Sequence, residues 1–371
     1  MKFTCDRSAL VEKLGVLARG VSTRSALPVL SGILLQAGEG RLDLYSTDME
    51  LSIKAGMQPA TMERDGEIVV PARLFSDVVR NLPDEDVLVE AGDAAVKVSA
   101  GRASFSLNSW SAADFPQTST FDMSGAFTVG RDPFVETLNK VGRAASRDET
   151  RPILTGVLMT IIGDTLKMVA TDSYRLAVKE TKLDHTLETE VQAIVPVKAL
   201  GEVTRLAAAL GPGDIEVAIG ENQAVFKLSD PAGDVWIASR LIEGQFPNYK
   251  QLLPDTFDHE VSIDRGQLMA SARRVSLLAQ KNAPLRMSFA ENRLTMKALT
   301  QDVGQAEESL DVAFTGEPFE IGFNPGYLIE GVDAVDDEAT LLRFTSPLRP
   351  GLVSGPGDDF TYLIMPIRLS S

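Results

Sequence analysis

An internal repeat limits what this chain can fold into more than any other feature. Residues 3–48 can be laid on residues 127–172 without a gap, at an offset of 124 positions. Phe3 then meets Phe127, Leu14 meets Leu138, Pro28 meets Pro152, Gly32 meets Gly156, and Thr47-Asp48 meets Thr171-Asp172. A third, fainter copy needs small deletions. It runs from Val261-Ser262-Ile263 through Arg274-Val275 and Pro284-Leu285 to Leu294-Thr295-Met296-Lys297-Ala298. Three copies fill the 371 residues. Solenoid repeats are 20–50 residues long and lean on their neighbours for a core, whereas this period is the size of a domain. The expectation is three self-contained domains of one fold, at 1–124, 125–250 and 251–371.

Each copy opens with a short strand and an amphipathic helix. In the first, Asp6 is placed to cap the helix, and Leu10, Leu14 and Leu17 form its apolar stripe with Lys13 and Arg19 off it. In the second, Phe134, Leu138 and Val141 form the stripe, with Lys140 and Arg143 off it. Short alternating strands follow, such as Leu42–Ser46 and Leu51–Ala55. A second helix then starts at a proline, at Pro71, Pro196 and Pro325, because the first helical position does not need an N–H. More alternating strands close each unit. The order helix, strands, helix, strands lacks βαβ alternation and predicts an α+β fold, with two helices packed on antiparallel sheets in each domain.

One turn recurs with the repeat. Ala170-Thr171-Asp172-Ser173-Tyr174-Arg175-Leu176-Ala177 reads as a strand end, a polar turn closed by Asp172 and Ser173, and the next strand. It presents Arg175 beside apolar Leu176, as a small docking pocket requires. Taken alone it is equally an ordinary surface hairpin.

The formal net charge is −16, from 36 Lys and Arg against 52 Asp and Glu. Such a chain does not adhere to nucleic acid or membranes through its bulk charge. The six predicted helices nevertheless carry an excess of Lys and Arg, which leaves the sheets and loops more acidic than the whole. A basic helical layer suits phosphate contact without base readout, and equally suits helix faces that simply carry more cations. Cys5, the single cysteine, excludes an internal disulfide and reads as a small buried hydrophobe. No apolar leader or membrane-spanning run is present, so the chain reads as cytoplasmic. No catalytic constellation is found. His185 and His259 read as surface residues. Asp84-Glu85-Asp86 and Asp336-Asp337-Glu338 read as solvated loop acids, and neither metal nor cofactor is expected.

The tripled unit, Leu27-Pro28-Val29-Leu30, the Asp172 turn, Phe246-Pro247-Asn248-Tyr249 and the terminal Tyr362-Leu363-Ile364-Met365-Pro366-Ile367-Arg368-Leu369 together resemble the bacterial β sliding clamps, over the entire chain. The resemblance implies a DNA-clamp fold in which a head-to-tail homodimer closes a ring around double-stranded DNA, with helices inside and sheets outside. It implies a non-catalytic processivity factor that recruits the replicative polymerase, the clamp loader and repair proteins through short peptide motifs. Arg24 matches a DNA-facing position, and Arg73, Arg80, Lys140, Arg143, Lys198, Arg205 and Arg273 are the helical cations expected to face the duplex.

The family's peptide pocket carries over to Arg151, Leu154, Thr171, Ser173, Tyr174, Arg175 and Leu176 of the second domain. From the linker come Pro247 and Leu252. The third domain supplies Asn324, Tyr327, Leu348 and Pro350, and the C-terminal strand Met365, Pro366, Ile367 and Arg368. Apolar subsites of this kind take leucine or phenylalanine anchors, and Met365 gives an adaptable wall. Tyr174 stands where many members have histidine, and Gln251 where arginine is common. Phe105 and Leu107 match one side of the family's dimer contact, and Leu277 and Leu278 the other. An alternative within the family is a second clamp copy that confers resistance to a pocket-directed inhibitor. A hydrolase hidden in the acidic loops is the reading from another class.

Overall fold

The computed structural model describes residues 1–22, 26–92, 94–116, 121–279, 283–357 and 359–369. Helices α1 (Arg7–Leu17), α2 (Ala72–Asn81), α3 (Arg131–Val141), α4 (Val197–Leu210), α5 (Arg265–Ser276) and α6 (Pro325–Asp333) alternate with antiparallel strands as the repeat predicts. The Asp6 carboxylate caps α1 by accepting from the Ala9 N–H at 2.7 Å. Asp264 caps α5 in the same way through Gln267. Of the three prolines, only Pro325 occupies the first helical turn, whereas Pro71 is the N-cap of α2 and Pro196 ends a strand. Proline's fixed φ serves the entry to a helix at any of these positions.

Two compact units each combine strands of consecutive repeats. One holds Met1–Val135 with Lys198–Leu241, the other Glu136–Val197 with Ile242–Ser371. In the first unit a five-stranded sheet runs Thr61–Arg64, Lys2–Cys5, Val87–Ala91, Ala95–Ala100, Ala103–Asn108. An eight-stranded sheet joins four strands of the second repeat to four of the first, through Val235–Arg240 paired on Leu51–Met57. In the second unit a six-stranded sheet is joined likewise, through Arg175–Pro196 paired on Phe360–Ile364. A four-stranded sheet ends at Gly304–Asp311. The repeats are therefore not self-contained. A strand edge left open by one repeat is closed by a strand of the next, which removes unpaired N–H and C=O groups.

Helices cover one face of each joined sheet, with α1 and α2 on the first repeat's strands and α6 on Gly351–Ser354 and Phe360–Ile364. Leu10, Leu14 and Leu17 are buried, as are their counterparts Phe134, Leu138 and Val141. Each such side chain contributes about 1.5–3 kcal/mol by leaving water. Cys5 is buried, and burial pushes its thiol up to about 12.

Two lysines expected off the apolar stripes are buried. Lys13 Nζ donates to Asp230 Oδ2 at 2.5 Å and to the Gly233 carbonyl at 2.7 Å, with the lysine side chain 1% exposed. Gly233 has φ 120, and a Cβ there would run into the Gly56 carbonyl, so the loop that receives Lys13 requires glycine. Lys140 is 6% exposed and is paired with Asp336 at 2.6 Å and Glu136 at 3.3 Å. His259 also departs from expectation. It stacks on Phe319 at 4.5 Å between centroids, at the margin of an aromatic group that includes Phe289, Phe314 and Phe344.

Candidate functional site

The Asp172 turn is built from its own side chains. Asp172 Oδ1 accepts from the Tyr174 and Arg175 N–H groups at 2.9 and 3.0 Å, and Thr171 Oγ1 accepts from Ser173 N–H at 3.1 Å. Thr171 Oγ1 in turn donates to the Arg175 carbonyl at 2.7 Å. Ser173 sits at φ 79, a conformation a short polar residue tolerates better than a branched one. The turn lifts Tyr174 into solvent, 60% exposed.

Arg175 is not the free cation that the sequence suggests. Its Nε donates to Asp172 Oδ2 at 3.0 Å and its Nη1 to the Glu330 carboxylate and to Tyr362 Oη. The guanidinium lies 4.4 Å from the Tyr327 ring centroid. Neutralised on two sides and only 11% exposed, it acts as a strut that ties the turn to α6 and the C-terminal strand. Burial pushes the Tyr362 phenol up to about 12, against the opposing pull of Arg175. Burial also raises the Tyr327 phenol, helped by Asp172.

The expected pocket residues divide into floor and rim. Leu176 is 1% exposed and packs with Leu158, Ile194, Phe246, Leu352 and Leu363, so it is core beneath the site rather than a contact surface. Leu154 and Thr171 are likewise buried. Exposed apolar surface comes from Tyr174, Leu252 at 42%, Leu348 at 69% and Met365 at 36%. Met365 N–H bonds the Tyr174 carbonyl at 2.8 Å, which fixes these two side chains at one mouth. Arg151 Nη1 donates to Ser173 Oγ at 3.4 Å while its Nε holds Asp148. Asn324 Oδ1 caps α6 through Gly326 and Tyr327. Ile367 N–H bonds the Gly322 carbonyl at 2.8 Å and, with half-buried Pro366, directs the tail along Phe319–Phe323; Arg368 is exposed. Pro247 is exposed and Pro350 half-buried.

The residues missed as site members are Asp172, Glu330 and Tyr362. Asp172 carried a signal, since its equivalent Asp48 recurs in the repeat. Glu330 and Tyr362 carried none, because their partner lies far away in the chain.

The helical cations also divide. Arg73, Arg80, Lys198, Arg205 and Arg273 have side chains 97, 59, 75, 56 and 61% exposed. Lys140 is buried and paired with Asp336, and Arg143 is held by the Glu330 carbonyl at 2.8 Å and Asp333 at 3.2 Å. Arg24 lies outside the described residues. At the sheet ends, Phe105 is 43% exposed on Ala103–Asn108, while Leu107 is buried at 5% and faces its own core. Leu277 is 82% exposed and Leu278 half-buried, just past α5.

Repeated two-helix units on shared antiparallel sheets, with exposed cations on the helices and an apolar rim beside one turn, define a DNA-clamp fold. Family models described as the N-terminal, central and C-terminal domains of the DNA polymerase III beta subunit match residues 1–119, 128–248 and 250–368. The chain belongs to that family. A beta sliding clamp of Synechococcus elongatus is 37% identical over 380 residues, covering 100% of both chains, and one of Streptomyces coelicolor is 34% identical over 388 residues, again covering 100% of both. The solved sliding clamp of Bacillus subtilis is similar with a TM-score of 0.95 at 27% identity, and that of Pseudomonas aeruginosa bound to griselimycin with 0.92 at 30%, each covering 100% of both chains. Among the described residues, no helix is long and apolar enough to cross a membrane.

Proposed function

We propose that this protein is a non-catalytic, cytoplasmic processivity subunit that closes, as a head-to-tail homodimer of three modules per chain (1–124, 125–250, 251–371), around double-stranded DNA. The observation that carries this reading is the exposure of Arg73, Arg80, Lys198, Arg205 and Arg273 on the helices of a chain whose net charge is −16. A sliding protein needs attraction to phosphates without base-specific bonds, which would pin it, and mobile exposed cations supply that. The sheet ends support the dimer. Ala103–Asn108 carries exposed Phe105 with Arg102 beside it, and Gly304–Asp311 carries Glu307, Glu308 and Asp311 near exposed Leu277. Apolar and charge complementarity favour pairing of two such edges. No observation favours the second-copy reading. Loading onto circular DNA tests the ring: the protein is expected to stay on the circle and to leave after linearisation, and equal loss from both forms would reject encirclement.

The rim formed by Tyr174, Leu252, Leu348 and Met365 is proposed as the docking site for leucine- and phenylalanine-bearing motifs of the polymerase, clamp loader and repair proteins. Its exposed apolar side chains over a rigid floor suit an extended peptide. Arg175→Ala, or deletion of Met365–Ser371, is expected to abolish motif binding and leave the dimer intact. Retained binding in both variants would reject the site.

A further inference from the structure

The strand junction in the eight-stranded sheet repeats the bonds by which Thr171 and Asp172 close the turn of the docking site. Thr47 Oγ1 accepts from Met49 N–H at 3.0 Å, and Asp48 Oδ1 accepts from the Glu50 and Leu51 N–H groups at 3.0 and 2.7 Å. Met49 sits at φ 78, as Ser173 does at 79. Leu51 pairs across to Ser239 as Arg175 pairs to Ile364, and Arg240 N–H bonds the Glu50 carbonyl as Met365 N–H bonds the Tyr174 carbonyl. Leu51 stands at the position of Arg175, and Lys198 reaches Asp48 Oδ2 from α4 at 3.5 Å in its stead, holding the oxygen equivalent to the one Arg175 holds on Asp172. The floors correspond in part: Leu34 and Phe115 pack together as Leu158 and Phe246 do, whereas Ser52, bonded to Thr47 Oγ1 at 2.9 Å, stands where Leu176 does. Exposed apolar surface is present, from Leu27 at 54% and Met49 at 51%.

The mouths differ. Where Tyr174 and Met365 offer apolar surface, Glu50 and Arg240 face each other at 3.9 Å with side chains 71 and 63% exposed. We infer that this junction is a closed copy of the docking site, and that Glu50 and Arg240 are the specificity residues that close it to peptides with leucine and phenylalanine anchors. An apolar anchor seated there would strip water from both charges and offer no hydrogen bond in return. The same anchor beside Tyr174 and Met365 displaces water from surface that gains by losing it. One turn scaffold thus occurs twice per chain, and the side chains set on it decide which copy is used, with Glu50 and Arg240 the pair that closes the mouth. The inference rests on the docking reading given above.

The test is a calorimetric titration of the intact protein with a synthetic peptide that carries leucine and phenylalanine anchors. Wild type is expected to take up about one peptide per chain, and E50Y/R240M about two, since the substitutions replace the repulsive element with the attractive one. The reciprocal variant Y174E/M365R is expected to lose the single site, with at least a tenfold fall in affinity. All four positions are solvent-exposed, and an unchanged melting temperature confirms the fold of each variant. A stoichiometry for E50Y/R240M that stays at the wild-type value overturns the inference, as does a wild type that already fills both junctions. Peptide binding that survives Y174E/M365R overturns the docking reading itself, and the inference with it.

Discussion

Lys13 and Lys140 sit on the first helices of consecutive repeats, and both bury an ammonium, but in opposite ways. Lys13 meets a single carboxylate, Asp230, itself 8% exposed, and one backbone carbonyl. Lys140 meets Glu136 and Asp336, which are 49 and 71% exposed, and lies 5.5 Å from the Phe360 ring centroid. Lys179, also buried, shares Glu136 and pairs with Asp359. The first arrangement is closed, so among the described residues each charge has the other as its one ion-pair partner and backbone groups for the rest. The second is open on its carboxylate side, where water and a second acid can replace a lost partner. Burial of the cation alone therefore does not tell how much an ion pair matters; the exposure of the anion decides it.

The largest expected effect follows from breaking the closed pair. Asp230→Ala leaves Lys13 charged and unpartnered in the interior and is expected to cost about 3–5 kcal/mol, read by urea denaturation. Replacement of both partners, Lys13→Met with Asp230→Leu, is expected to return stability to within about 1 kcal/mol of wild type, because no charge is then stranded. A double variant no better than Asp230→Ala would show that packing, rather than charge, dominates this region.

The pH dependence sharpens the same contrast. Burial acts to raise the Asp230 carboxyl, but the bonds from Lys13 and the Ala232 N–H outweigh it and hold the group below its ordinary value. A carboxyl depressed in the folded state contributes stability that is present above its unfolded value of 3.8 and is lost as pH falls through the lower folded value. The acid limb of wild type is thus expected to be steepest between 3.8 and the lower folded value, and that of Asp230→Asn to be flatter there. At the open pair, Asp336→Ala is expected to cost about 1 kcal/mol or less, since Glu136 remains and Asp336 is largely in water. The smallest effect on stability is expected at the exposed cations. Arg73→Ala should change folding by no more than about 0.5 kcal/mol. Its mark should appear instead in the salt dependence of DNA binding, whose log–log slope falls by about 1 for each phosphate contact removed.

What the sequence conveyed follows from the range over which each signal acts. The apolar stripes at Leu10, Leu14 and Leu17, the Asp6 cap and the Asp172 turn are local, and the structure holds them as read. Lys13, Lys140 and Arg175 each have a carboxylate partner 155 or more residues away, Asp230, Asp336 and Glu330, and helical periodicity places a long aliphatic stem without telling where its tip finds an anion. The same limit accounts for Leu107, which shares a face with Phe105 but is buried at 5% where Phe105 is 43% exposed. It also accounts for Leu176, which the resemblance assigned to the pocket and which is 1% exposed within the core beneath the turn. The strand pairings that join consecutive repeats in shared sheets were not legible, because no single repeat encodes them.

Those shared sheets bear on how the protein is made. The strand Leu51–Met57 leaves the ribosome early, yet its outer edge waits for Val235–Arg240. At bacterial elongation rates of about 5–20 residues per second, that interval is roughly 10–40 s. During it the nascent chain carries an open, apolar strand edge, so its synthesis favours a chaperone at the exit tunnel.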